Sequence, residues 1–269
     1  MTLSPGLRRT LLAFTVVVLV IVYLPLALVV LNSFNTNRTF AWPPSGLTLH
    51  WWDVAAQSGG AREALWVSLK VAALATVIAL LLGTMAAMGL QRSRFFGRDT
   101  VSLLIILPIA LPGIVTGIAL NNAFRTVLGV RLGLLTIVVA HATFCIVTVF
   151  NNVQARLRRL GGSLEEASMD LGAGRVTTFR LVTFPMLRSA LLAGGLLAFA
   201  LSFDEIIVTT FTAGAQQQTL PIWIFNNLFR PNQGPVVNVV AAVLILVSIV
   251  PIYLAQRLSG SSEAMTTAR

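Results

Sequence analysis

Six stretches, each close to twenty apolar residues long, dominate this chain: about 11–31, 65–90, 101–123, 134–153, 188–211 and 237–257. A helix needs roughly 20 residues to cross a hydrocarbon core of ~30 Å. Inside that core lipid offers no partner for a free N–H or C=O, so each stretch must fold as a helix. The expected class is therefore all-α, a polytopic membrane protein with six transmembrane helices. Only 10% of the residues are charged, against about 25% in soluble domains.

Charge placement predicts the orientation. Arg8, Arg9, Arg92, Arg94, Arg98, Arg156, Arg158, Arg159, Arg175, Arg180, Arg188, Arg257 and Arg269 fall on one side of the spans; only Arg38, Arg62, Arg125, Arg131 and Arg230 fall on the other. Positive residues stay inside, which makes both termini cytoplasmic, together with the loop at 154–187. The formal net charge of +10 is thus a topological bias rather than a nucleic-acid footprint. Residues 1–10 read as a cytoplasmic N-terminus, 11–257 as one transmembrane domain and 258–269 as a cytoplasmic tail. The 21-residue run Leu11–Leu31 exceeds a signal-peptide core and reads as a retained anchor. Tryptophans 42, 51 and 52, in the outer segment 32–63, read as interface anchors.

Three spans carry features that an inert apolar helix would not need. In the third, Pro108 and Pro112 stand four residues apart and remove backbone donors from one helical ladder, which predicts a kink or break. In the fifth, Ser202, Asp204 and Glu205 place two carboxylates at bilayer depth, where an ionised group is costly unless it faces a cavity or a partner. Helical geometry sets neighbouring side chains about 100° apart, giving the two acids different surroundings. Either lining a path for a cation or bonding within the bundle fits the pattern. His141, within the fourth span, reads as a hydrogen-bonded helix residue. Cys145 reads as a small buried hydrophobe.

The polar loop holds the most specific signal. Ser163-Leu164-Glu165-Glu166 has the spacing of a capping box, and Gly172 can adopt the left-handed conformation that ends a helix. A two-turn helix fits between them, with Leu164, Ala167, Ser168 and Leu171 on one weakly apolar face and Glu165, Glu166 and Asp170 on the other. Two turns are marginal alone, so this helix calls for a partner surface. No G-x-x-x-x-G-K-[ST] run is present, and the only lysine, Lys70, lies within a span, so the chain lacks a phosphate-binding loop of its own. Neither a metal-ligand cluster nor a nucleophile–base motif stands out.

Glu166-Ala167-Ser168, Gly172 and, nine residues on, Val182-Thr183-Phe184-Pro185 resemble the signature loop E-A-A-x-x-x-G-x(9)-I-x-L-P of ABC-importer permeases. One departure is Ser168 in place of alanine. The runs SLKVAALAT (68–76), LPIALPGIVTG (107–117), HATFCIVTVFNNV (141–153) and LAFALSFDEIIVTTF (197–211) are similar to the spermidine/putrescine type of binding-protein-dependent permease, over about residues 47–251. The resemblance implies a type I importer permease fold whose coupling residues are Ser163, Leu164, Glu166, Ala167, Ser168, Leu171, Gly172 and Pro185. Ser202, Asp204, Glu205 and Pro112 are then candidates for the substrate path. It further implies an ABC ATPase dimer holding ATP and magnesium, a second permease, a periplasmic or lipid-anchored solute-binding protein, a bacterial inner membrane, and no cofactor on this chain. A polyamine is the implied solute; 4-aminobutyrate, an opine or an anion would use the same machinery. An ATP-independent carrier or channel is the rival from another class.

Overall fold

The computed structural model describes residues 4–38, 43–93, 95–230 and 232–248, and among these the regular structure is helical apart from a single isolated bridge, Asn35 to Leu47. Trp42, Arg94, the end of the sixth apolar window and the tail at 258–269 lie outside the described residues. Helix α1 covers Pro5–Asn32, α2 His50–Gln57, α3 Gly59–Arg92, α4 Arg98–Ala110, α5 Gly113–Asn122, α6 Leu134–Leu160, α7 Ser163–Asp170, α8 Arg175–Thr178, α9 Phe184–Phe203, α10 Ile207–Thr212 and α11 Leu220–Leu228. An apolar helix, α12, follows over Gly234–Ser248.

Four helical stretches are long and apolar enough to cross a membrane, and five if α4 and α5 form one bent span. They match the first five apolar windows. The sixth is described only as far as Ser248, so six complete spans are not seen. Two boundaries differ from the sequence expectation. The fifth helical stretch starts at Arg175, not near 188, and ends at Phe203. With α6 running to Leu160, the loop expected over 154–187 shrinks to the short segment around α7. Hydrophobicity marks only the apolar part of a helix, and these two helices continue past it through arginine-bearing turns.

The described residues fall into two compact units, those within 63–223 and those of 1–62 together with 224–248. In the first, α6 is central. Ala75, Ala79 and Ala87 of α3, Cys145, Val149, Phe150 and Val153 of α6, and Leu187 and Ala198 of α9 form one buried cluster. Small residues let the helices approach closely, as van der Waals packing in a bilayer requires. At Gly83 a Cβ would lie 2.9 Å from the Ile146 carbonyl oxygen and 3.1 Å from Val149 Cβ. Backbone cannot yield there as a side chain can, so Gly83→Val should force α3 off α6 and destabilise the bundle by about 1–3 kcal/mol. Thermal unfolding of the purified protein in detergent would show this as a lower Tm; an unchanged Tm would mean the α3–α6 contact is slack.

The second unit departs from the anchor reading of its tryptophans. Trp51 is buried and its indole N–H donates to the Asn35 carbonyl at 3.0 Å, while Trp52 stacks on Phe34 with centroids 5.1 Å apart. These indoles are engaged by Phe34 and Asn35, just past the end of α1, rather than floating at an interface. Helix α1 is different: its side chains from Leu7 to Leu24 lie exposed all round, as befits a helix solvated by lipid.

Candidate functional site

Residues expected to act together occupy two places in the 63–223 unit, and the first is α7. The helix forms over Ser163–Asp170, as the spacing requires, but its start is not a capping box. Gly162 takes the cap position, its carbonyl accepts the Glu166 N–H at 3.0 Å, and no side chain caps the helix. Ser163 is the first helical residue instead. The cause is the turn before it: Gly161, at φ +65°, ends α6 and reverses the chain at once, leaving no extended residue for serine to occupy.

The C-terminal end follows the expectation. Gly172 has φ +84°, its N–H donates to the Met169 carbonyl at 2.9 Å, and the Ala173 N–H donates to the Ser168 carbonyl at 3.1 Å. These two bonds are the Schellman pattern, which satisfies carbonyls that a helix end otherwise leaves open. The terminated helix then presents Leu164 (53% exposed), Ala167 and Leu171 (90% exposed) to the outside. Ser168 turns inward to share a 3.1 Å hydrogen bond with the Thr178 hydroxyl, and Thr178 is buried. The serine that departs from the family motif therefore ties α7 to α8.

Glu165 does not join Glu166 and Asp170 on a solvent face, as the helical wheel suggested. Its Oε1 accepts from an Arg92 guanidinium nitrogen at 2.5 Å and from the Thr183 hydroxyl at 2.6 Å. Pro185 lies within the continuous helix that runs from Arg175 to Phe203, not in a loop. A proline ring displaces the carbonyl four residues earlier, here Leu181. The chain accommodates this with a π-helical turn at Phe179–Thr183, and Thr183 belongs to that turn.

The second place is where two spans break. As the prolines foretold, α4 and α5 meet at Leu111-Pro112 with a bend of 103°. The fifth span is also broken, and this was not expected. Helix α9 stops at Phe203 and α10 begins at Ile207, so Asp204 and Glu205 sit in the gap rather than a third of a turn apart on one helix. Asp204 is exposed; Glu205 is half-buried, and its Oε1 accepts the Val208 N–H at 2.8 Å, capping the first turn of α10. The breaks adjoin: a Cβ on Gly113 would touch Ile207 at 3.6 Å, and Asn121 Nδ2 donates to the Phe211 carbonyl at 2.5 Å.

His141 holds the fifth-span break in place. It is fully buried, with Nδ1 2.8 Å from the Ser202 hydroxyl before the gap and Nε2 2.8 Å from the Thr209 hydroxyl after it. Thr209 Oγ1 also donates to the Glu205 carbonyl at 2.8 Å. Its single proton is used there, so Nε2–H donates to Thr209 and Nδ1 accepts from Ser202. A one-way chain of hydrogen bonds thus runs from Ser202 through the imidazole to the Glu205 carbonyl. Farther along, Thr136 Oγ1 donates to the Thr212 carbonyl at 2.7 Å, fixing the end of α10 to the start of α6. Ser202 and Glu205 are thus joined through His141 and Thr209, Asp204 lies exposed between them, and Pro112 precedes Gly113, which packs against Ile207. His141, Thr209, Glu165 and Arg92 were absent from the expected site, although a histidine inside an apolar helix was a usable signal.

The family described as "Binding-protein-dependent transport system inner membrane component" matches residues 79–262. The chain is 34% identical over 230 residues to the putrescine transport system permease protein PotI of Escherichia coli (strain K12), covering 83% of this chain and 81% of that one. It is 32% identical over 252 residues to the spermidine/putrescine transport system permease protein PotC of Haemophilus influenzae, covering 93% and 96%. In fold it is similar to a chain of a bacterial ABC transporter involved in the import of the acidic polysaccharide alginate. That likeness has a TM-score of 0.69 and 15% identity, and covers 97% and 99% of the two chains. By the family match over residues 79–262 and the identity to these permeases, this chain belongs to the binding-protein-dependent transport system inner membrane component family.

Proposed function

We propose that this permease imports a small polyamine-like cation by alternating access, powered by a separate ATPase that docks on α7. The observation that carries the reading is the two-turn helix closed by a Schellman cap, with Leu164, Ala167 and Leu171 exposed. Eight residues are too few to be stable alone, and a mere connector gains nothing from an open apolar stripe. The ATPase, a second permease and a solute-binding protein complete the machine, as the family's description and the permease relatives support. The ion pair between Arg92, at the end of α3, and Glu165 of α7 supports putting these two segments on one face. The positive-inside rule makes that face cytoplasmic, in a bacterial inner membrane.

Polyamine is the favoured solute because both permease relatives are named for putrescine or spermidine and because two carboxylates stand at the fifth-span break. Glu205 is partly engaged by its cap on α10, which leaves the exposed Asp204 as the freer charge. Uptake of radiolabelled putrescine into proteoliposomes holding the complete transporter and its binding protein tests this. Asp204→Asn should raise the half-saturating concentration about tenfold, equivalent to ~1.4 kcal/mol. Glu205→Gln keeps an oxygen for the Val208 N–H and so removes charge without removing the cap. Both variants should still bind the ATPase. Wild-type kinetics in both would take these acids off the path, and ATP-independent accumulation would favour a carrier.

A further inference from the structure

We infer that Glu165 is the positioning residue through which movement of α7 reaches the membrane spans; this rests on the reading of α7 as the ATPase-coupling helix. Helix α7 joins its neighbours through glycine turns, Gly161-Gly162 before it and Gly172 to Gly174 after it, with Gly161 and Gly172 both at positive φ. Such hinges let the helix move but transmit force poorly. A stiff link must therefore come from side chains. Among the described residues, the α7 side chains that hydrogen-bond to other elements are Glu165 and Ser168. Ser168 meets Thr178 in the first turn of the continuous helix that becomes the fifth span, and so ties α7 to that one helix.

Glu165 reaches farther. One carboxylate oxygen accepts from Arg92, the last residue of α3, and from Thr183, in the π turn of the fifth span. Arg92 Nη2 also lies 3.4 Å from Thr183 Oγ1, closing a triangle across three elements. Thr183 is 2% exposed, so this corner is fixed in the bundle, whereas the Arg92 side chain is 46% exposed and the Glu165 side chain 19%. An ion pair open to water adds little to stability. A pair held short at such a place serves better as a joint than as a brace. Through it a shift of α7 pulls on α3 and on the π turn, where the helical ladder is already widened and yields most readily.

The test uses the complete transporter in proteoliposomes, reading putrescine imported per ATP hydrolysed and the amount of ATPase co-purified. Glu165→Arg should retain the ATPase at wild-type stoichiometry yet lower the transport-to-hydrolysis ratio about tenfold. Glu165→Gln should give a smaller loss in the same direction. Adding Arg92→Glu to Glu165→Arg reverses the pair and should restore at least half of the ratio, which a merely structural loss would not. A wild-type ratio in Glu165→Arg, shedding of the ATPase, or failure of the reversed pair to recover would each overturn the inference. Ala167→Arg, on the exposed face, separates the two claims. If it uncouples while Glu165→Arg does not, only the joint is wrong; if neither uncouples, α7 is not the coupling helix.

Discussion

Proteoliposomes carrying Gly172→Val should lose about nine-tenths of ATP-driven uptake while the permease still inserts and purifies as the wild type does. Gly172 sits at φ +84°, where an L side chain costs ~1–2 kcal/mol and a β-branched one more. The valine chain would leave the left-handed region, and the bonds from Gly172 and Ala173 back to Met169 and Ser168 would go with it. Leu171, now 90% exposed, would swing away from Leu164 and Ala167. None of these residues belongs to the buried cluster of α3, α6 and α9, so the bundle should survive. A shift of ~1.4 kcal/mol against the capped form is a tenfold loss. Gly172→Asn, which tolerates the left-handed region, should keep most of the activity. Equal uptake by the valine variant and the wild type would show that the cap does not matter.

The second large effect is expected at His141. Truncation to alanine empties a fully buried site and removes two bonds that join the halves of the fifth span. Void formation, together with two interhelical bonds of about 0.6 kcal/mol each, sums to ~2–4 kcal/mol. In detergent this should appear as a Tm lower by roughly 5–10 °C. Putrescine uptake should fall as well, because the Glu205 peptide loses the support that Thr209 relays to it. Gln at this position offers one donor for Thr209 and one acceptor for Ser202, so His141→Gln should recover more than half of the loss. An unchanged Tm in His141→Ala would mean that the break holds itself.

Much of the architecture was legible because it depends on one residue at a time. Transfer of apolar side chains to lipid marked the first five spans, and ring geometry marked the break at Pro112. The need for a positive φ marked Gly172. The local rule failed at Ser163, where a neighbouring glycine took the cap. It also failed for the extent of the loop, since α6 and α8 go on as helix beyond the apolar windows.

The fifth-span break and the inward turn of Glu165 were not legible, for a shared reason. No proline or glycine lies between Phe203 and Ile207; that gap exists because His141, some sixty residues earlier, offers hydrogen bonds to both sides. Glu165 likewise turns inward because Arg92 and Thr183 converge beside it. Sequence by itself determined which stretches are apolar enough to span a membrane, where α7 ends and which family signature it carries, since hydrophobicity and backbone freedom belong to single residues. Which polar group meets which was decided only by the tertiary structure, because a buried hydrogen bond needs two partners that folding alone brings within 3 Å.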